Sequence, residues 1–183
     1  MKRIAHVFTV VAAIATAAVT PGLAAGQASA APPGDPGIGA LRDQWKGAIE
    51  NITAAAIEMT EAEYAYRPIE TVRTFGGLVG HVAGTQNLVC AAVLGDPQPA
   101  EDAIEKGATT KTALVQALKA STAYCERAYA ISGMAASAAV DLFGSKSTKF
   151  GALALNAIHD AEHYGNIVTY MRMQGKIPPS SRR

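Results

Sequence analysis

The stretch TKFGALALNAIHDAEHYGNIVTYMRMQG, residues 148–175, decides how the rest of the chain is read. It opens on Thr148, a helix-capping residue type, and closes on Gly175 with Pro178-Pro179 beyond. Ala152, Leu155, Asn156, His159, His163, Asn166 and Tyr170 recur at helical spacing and share one face. The spacing therefore predicts a long helix whose inward face carries a run of polar groups between apolar turns. Burying such groups is costly unless they bind one another or a ligand. A binding site on this helix is the economical reading.

Three more helical segments precede it. The first runs from about residue 38 to 59, with Leu41, Trp45, Ala48, Ile49, Ile52, Ala56 and Met59 on one stripe and Trp45 as its core anchor. An irregular stretch holding Tyr64-Ala65-Tyr66-Arg67-Pro68 follows, where Arg67 is read as pinning the loop. The second helix starts at a Thr74 cap and stops at Gly95-Asp96-Pro97. It carries His81, and its small residues permit close approach of another backbone or a bound group. Residues 98–110 form an acidic, glycine-containing connection, and the third helix runs from about 111 to 131 under a Thr109 or Thr110 cap. Residues 132–147 read as a loop, and no alternation lasts long enough to name a sheet. Four helices of about 20 residues in a chain this size point to an all-α four-helix bundle.

The chain has 183 residues, 16 of them basic and 15 acidic. Residues 1–30 read as a secretory signal peptide: Met1-Lys2-Arg3 is basic, Ile4 to Ala18 is apolar, and Ala28-Ser29-Ala30 fits a cleavage site. The apolar run falls short of the ~20 residues a membrane span needs. The expected mature chain starts at Ala31, with a Pro/Gly linker over 31–37 and a bundle over 38–181, exported to a periplasm or the extracellular space. Without Lys2 and Arg3, fourteen basic residues face fifteen acidic ones with no basic stripe, which argues against nucleic-acid binding. No further long apolar run argues for a membrane span after processing. An oxidising compartment permits a disulfide between Cys90 and Cys125. Helical phase argues against it, because Cys90 points away from His81 and Cys125 shares a stripe with Leu114, Leu118 and Ser121. Both cysteines therefore read as buried small apolar residues.

His159 and His163, spaced i and i+4, stack two imidazoles on one helical face. Two peptidase designs share this spacing. The H-E-x-x-H pattern fails because residue 160 is Asp. The inverted H-x-x-E-H pattern is met, with Glu162 as the base. Both designs take a third ligand from downstream, yet after His163 the sequence has no His, Asp, Glu or Cys. Further ligands must come from upstream: His81 is the remaining histidine after processing, and upstream carboxylates are the alternative. Three imidazole ligands and an open position describe a catalytic metal site. Asp160, Glu162 and Asn156 are candidates to orient the imidazoles, with a solvated face as the simpler role for both acids. Asn166 is the better pocket residue, Tyr170 reads as core packing, and Gly165 as permitting close helix packing.

Phe75 to Gly84 around His81 resembles the second-helix signature of the DinB-like superfamily. The stretch Tyr64 to Pro68, Val140-Asp141-Leu142-Phe143-Gly144, His159 to Asn166, Tyr170-Met171-Arg172 and Gly175 to Pro179 are similar to that family too. The resemblance covers about residues 38–181. It implies a four-helix bundle in up-down-down-up order and a divalent metal held by His81, His159 and His163. Members include thiol-dependent transferases and isomerases, and related bundles often form homodimers. The expectation is thus an exported metal-binding protein, with zinc or nickel the most suitable ions. It would act as a hydrolase or transferase on a small molecule, with Glu162 as assisting base. The alternative is a non-catalytic bundle that binds a small ligand or partner.

Overall fold

The protein is described here by a computed structural model over residues 35–182. The expected signal peptide and residues 31–34 of the expected linker lie outside the described residues. Four long helices dominate: α1 (Pro36–Glu58), α2 (Phe75–Leu94), α4 (Lys111–Ala128) and α6 (Lys149–Met173). Two short helices, α3 (Ala103–Gly107) and α5 (Gly133–Ala136), and a hairpin of β1 (Ala139–Leu142) with β2 (Ser145–Thr148) fill the connections.

The helix ends obey local chemistry. The side chains of Thr74, Thr110 and Thr148 accept from the backbone N–H groups of Gly77, Ala113 and Gly151, satisfying donors the helices cannot. Helix α1 begins earlier than its apolar stripe does, at Pro36, because Asp35 caps it by accepting from Gly37 and Ile38. Proline suits this first position, since it has no N–H to leave unpaired. Gly95 ends α2 in the left-handed region, with φ 81°.

Contacts between helices give their directions. Gly76 packs beside Leu114, Gln86 bonds Ser121, and Cys90 is joined to Cys125, so α2 and α4 run parallel. Gly37 lies beside Phe150 and, further along each helix, Trp45 reaches Asp160, so α1 and α6 also run parallel. Tyr170 donates to the Arg73 carbonyl while His81 meets His159, so α2 and α6 are antiparallel. The order is up-down-down-up, as the resemblance implied.

The core centres on Trp45, which is fully buried and stacked on Tyr129 with ring centroids 4.4 Å apart. Its indole N–H donates to Gln86 Oε1, whose amide donates to Ser121 Oγ, both at 3.0 Å. Helix α2 is long and apolar enough to cross a membrane by composition, but 17 of its 20 residues are buried inside the bundle. A helix apolar on every side belongs in the middle of a fold.

Three expectations are corrected. Cys90 and Cys125 form a disulfide, with Cα atoms 5.3 Å apart. Pointing away from His81 does not turn Cys90 from the core, because α2 has no solvent side, and that direction faces α4. Residues 132–147 are not a plain loop but hold α5 and most of the hairpin, whose strands are only four residues long. Gly165 is exposed with nothing within 4 Å of its would-be Cβ, so it mediates no helix packing.

Candidate metal centre

Helix α6 presents His159 and His163 one turn apart, and the antiparallel α2 brings His81 opposite them. His159 Nε2 lies 3.0 Å from His81 Nε2 and 3.0 Å from His163 Nε2. One nitrogen from each ring lies within 4.8 Å of the other two, a group that can hold a metal ion. A tetrahedral ion with imidazole bonds of about 2.0–2.1 Å separates its ligand nitrogens by about 3.3 Å. The observed contacts are close to that spacing.

The donor chemistry supports the same reading. With its proton on Nδ1, His159 donates to Asp160 Oδ1 at 3.4 Å. His81 Nδ1 faces Glu101 Oε1 at 3.6 Å and Glu105 Oε2 at 4.0 Å, so its proton is also favoured on that side. The neighbouring carboxylates thus favour the Nδ1–H tautomer of both rings. That form aims two bare Nε2 lone pairs at each other across 3.0 Å. A cation between them removes that repulsion. His163 Nδ1 lies 3.3 Å from the Asn166 amide, whose oxygen accepts from it in one of its two orientations.

Burial prepares the donors. It lowers His163 from 6.5 to about 3, assisted by the charges of His159, His81 and Arg73 when they are present. It also lowers His81, again assisted by Arg73 and His159 and opposed by Glu101 and Glu105. Both rings are neutral at pH 7, the form that binds metal. Asp160 is fully buried, and burial pushes its carboxyl up to about 6 against the pull of His159 and Trp45.

These shifts give the metal-free chain a defined acid response. Below pH 6.5 the unfolded chain protonates His81 and His163 while the folded chain resists, which removes stability as pH falls. Asp160 acts oppositely, since the folded chain takes up its proton near 6 and the unfolded one near 3.8. Two losses against one gain leave a net decline in stability as pH falls below about 6. Urea titrations of chelator-treated protein at stepped pH measure it. A flat or rising stability on acidification contradicts these assignments.

All three histidines line one cleft of about 670 Å³, together with Thr85, Glu101, Phe143, Leu155, Ile158 and Glu162. Glu162 is exposed there. A second cleft of about 730 Å³, bounded by the 68–73 loop, Glu105, Asn166 and Tyr170, reaches only His163. A small molecule would therefore reach all three histidines from the first cleft.

Other expected residues fall into place or out of it. Asp160 is not solvated but buried against His159. Asn156 is buried too, yet it donates to Tyr129 Oη and touches no imidazole. Leu155 and Asn166 lie off the buried face. Tyr170 packs in the core and bonds the Arg73 carbonyl, and Arg67 pins its loop through the Glu70 carbonyl.

Glu101 and Glu105 escaped the sequence reading. Their segment lies on α2 where Gly80 and Gly84 leave room: a Cβ on Gly84 would sit 1.9 Å from the Glu101 carbonyl oxygen, and one on Gly80 2.8 Å from Glu105 Cα. Two glycines one turn apart beside His81 were the available signal of that close approach. Arg73, bonded to Glu105 at 3.0 Å, completes the cluster.

The sequence model of the DinB superfamily matches residues 44–167. A DinB-like protein from Bacillus cereus ATCC 10987 superposes with a TM-score of 0.66 at 16% identity, covering 78% of this chain and 95% of its own. A DinB-like protein from Bacillus subtilis superposes with a TM-score of 0.53 at 20% identity, covering 79% and 99%. At these identities the two structures speak to the fold alone. No curated protein matches the chain.

Proposed function

Because the chain belongs to the DinB superfamily, we propose that it is an exported metalloprotein whose His81, His159 and His163 hold one divalent transition ion, zinc or nickel. The observation that carries this reading is the meeting of three imidazole nitrogens, two contacts of 3.0 Å, on the wall of a cleft. The ion would supply Lewis-acid chemistry to a small molecule there, in a hydrolysis or group transfer. The residues around it have separable tasks. Asp160 holds the His159 ring, and Glu101 and Glu105 hold the field at His81. Glu162, on the open side, accepts a proton from the bound molecule. Export is supported by the N-terminal sequence and by the Cys90–Cys125 disulfide, a bond that persists in oxidising compartments.

Elemental analysis of protein purified without chelator is expected to find one ion per chain. Against a panel of ester, amide and thiol-transfer substrates, Glu162→Gln is expected to lower turnover about 100-fold with the metal content unchanged. Metal without turnover on any substrate favours the non-catalytic binding protein. Absence of metal overturns the proposal.

A further inference from the structure

The lining of the cleft has two unlike parts. One is polar and carries the three histidines with Glu101 and Glu162; the other is apolar and is made by Phe143, Leu155 and Ile158. These three side chains are 50%, 38% and 67% exposed, an unusual concentration of open apolar surface beside a group of metal donors.

Phe143 adds an independent observation. It occupies the tip of the β1–β2 hairpin with φ 50°, followed by Gly144 with φ 73°. Two-residue turns with both φ values positive favour Asn-Gly, because a bulky side chain is strained in the left-handed region. Phe143 is the one non-glycine residue with positive φ among the described residues. Its neighbour Leu142 is buried, and Gln98 donates to the Asp141 carbonyl at 2.9 Å, so the tip is anchored on both counts. Backbone strain persists where the surroundings enforce it and concentrates at ligand sites. Here the strained residue is a half-exposed aromatic that lines the same cleft as the three histidines.

We propose that this cleft takes an amphipathic small molecule, with a metal-binding polar head among the histidines and an unbranched acyl or aryl arm against Phe143, Leu155 and Ile158. Phe143 is the residue that sets preference for the arm. The inference rests on the metal site proposed above and names the substrate class of that site. A polar metabolite of the same head chemistry leaves the apolar wall wet and binds less tightly.

Hydroxamates test it, since they offer one chelating head with arms of chosen length. Acetohydroxamate and octanohydroxamate are titrated by calorimetry into the zinc-loaded protein. A fully buried methylene is worth about fourfold in affinity, and a half-open wall about twofold. Six added methylenes should therefore tighten binding about 60-fold. Phe143→Asn removes the ring while suiting the left-handed turn. It should raise the melting temperature, keep acetohydroxamate affinity within about twofold of wild type, and cut the chain-length advantage at least fivefold. Equal affinity of both hydroxamates for the wild type overturns the apolar arm and leaves the metal site standing. Failure of acetohydroxamate to bind zinc-loaded protein overturns the open coordination position, and the arm with it. If sedimentation shows a wild-type dimer that Phe143→Asn dissolves, the apolar wall belongs to a second copy of the chain and the proposal falls.

Discussion

A His163→Ala chain purified without chelator is expected to carry less than a tenth of the metal held by its parent. The remaining ligands would be one imidazole from α2 and one from α6, with water completing the set. Groups that merely orient an imidazole are worth about 10–100-fold in affinity, so a direct ligand should cost at least about 100-fold. The same substitution removes the ring whose protonation is most strongly suppressed by burial. Metal-free His163→Ala should therefore lose stability less steeply than the metal-free parent as pH falls below 6.5. A mere core defect lowers stability at every pH and leaves that slope unchanged. The decisive readings are elemental analysis and paired pH titrations. Full metal content in His163→Ala would remove this residue from the site.

Reducing the Cys90–Cys125 bond is expected to cost about 3–4 kcal/mol. The bridge closes a loop across a sequence separation of 35, and restricting a loop of that length lowers the entropy of the unfolded chain by this amount. For a domain of this size the melting temperature should fall by about 10 °C. Both sulfurs are buried, so reduction needs denaturant or the Cys90→Ala/Cys125→Ala double variant. Metal affinity should change little, because His81 meets α6 while the bridge meets α4. A melt unchanged after proven loss of the bond contradicts the argument. A double variant without metal would show that α4 holds the register of α2 and thereby places His81.

Much of this arrangement can be read from residue order. Thr74, Thr148 and Gly95 mark helix ends because capping is local chemistry, and the stripe of α1 marks its buried face. The pair His159/His163 is legible for the same reason: spacing within one helix decides it. What needed the fold was long-range. The phase argument about Cys90 assumed a helix with one inward side, and α2 has none. Asp160 shares its turn with His159 and looks solvated until α1 and its Trp45 cover it. Phe143 gives no sign in sequence of its left-handed backbone, since Phe-Gly is not a turn pair by composition. Glu101 and Glu105 belong to a connection whose path no periodicity announces.

That path follows from the direction of two helices. Since α2 and α4 run parallel, the chain leaving Gly95 must travel back along α2, about 30 Å at 1.5 Å per residue, before α4 can start at Lys111. It makes the return on the surface of α2 itself, passing Gly84 at Glu101 and Gly80 at Glu105. Of the carboxylates beside His81, Glu101 is thus delivered by the returning chain itself and Glu105 by the short helix α3 within it. Their place is tied to the number of residues between the two helices. An insertion or deletion there would leave the four long helices and every histidine intact and still change the field at the proposed metal site, a way to vary its chemistry without touching the three imidazoles.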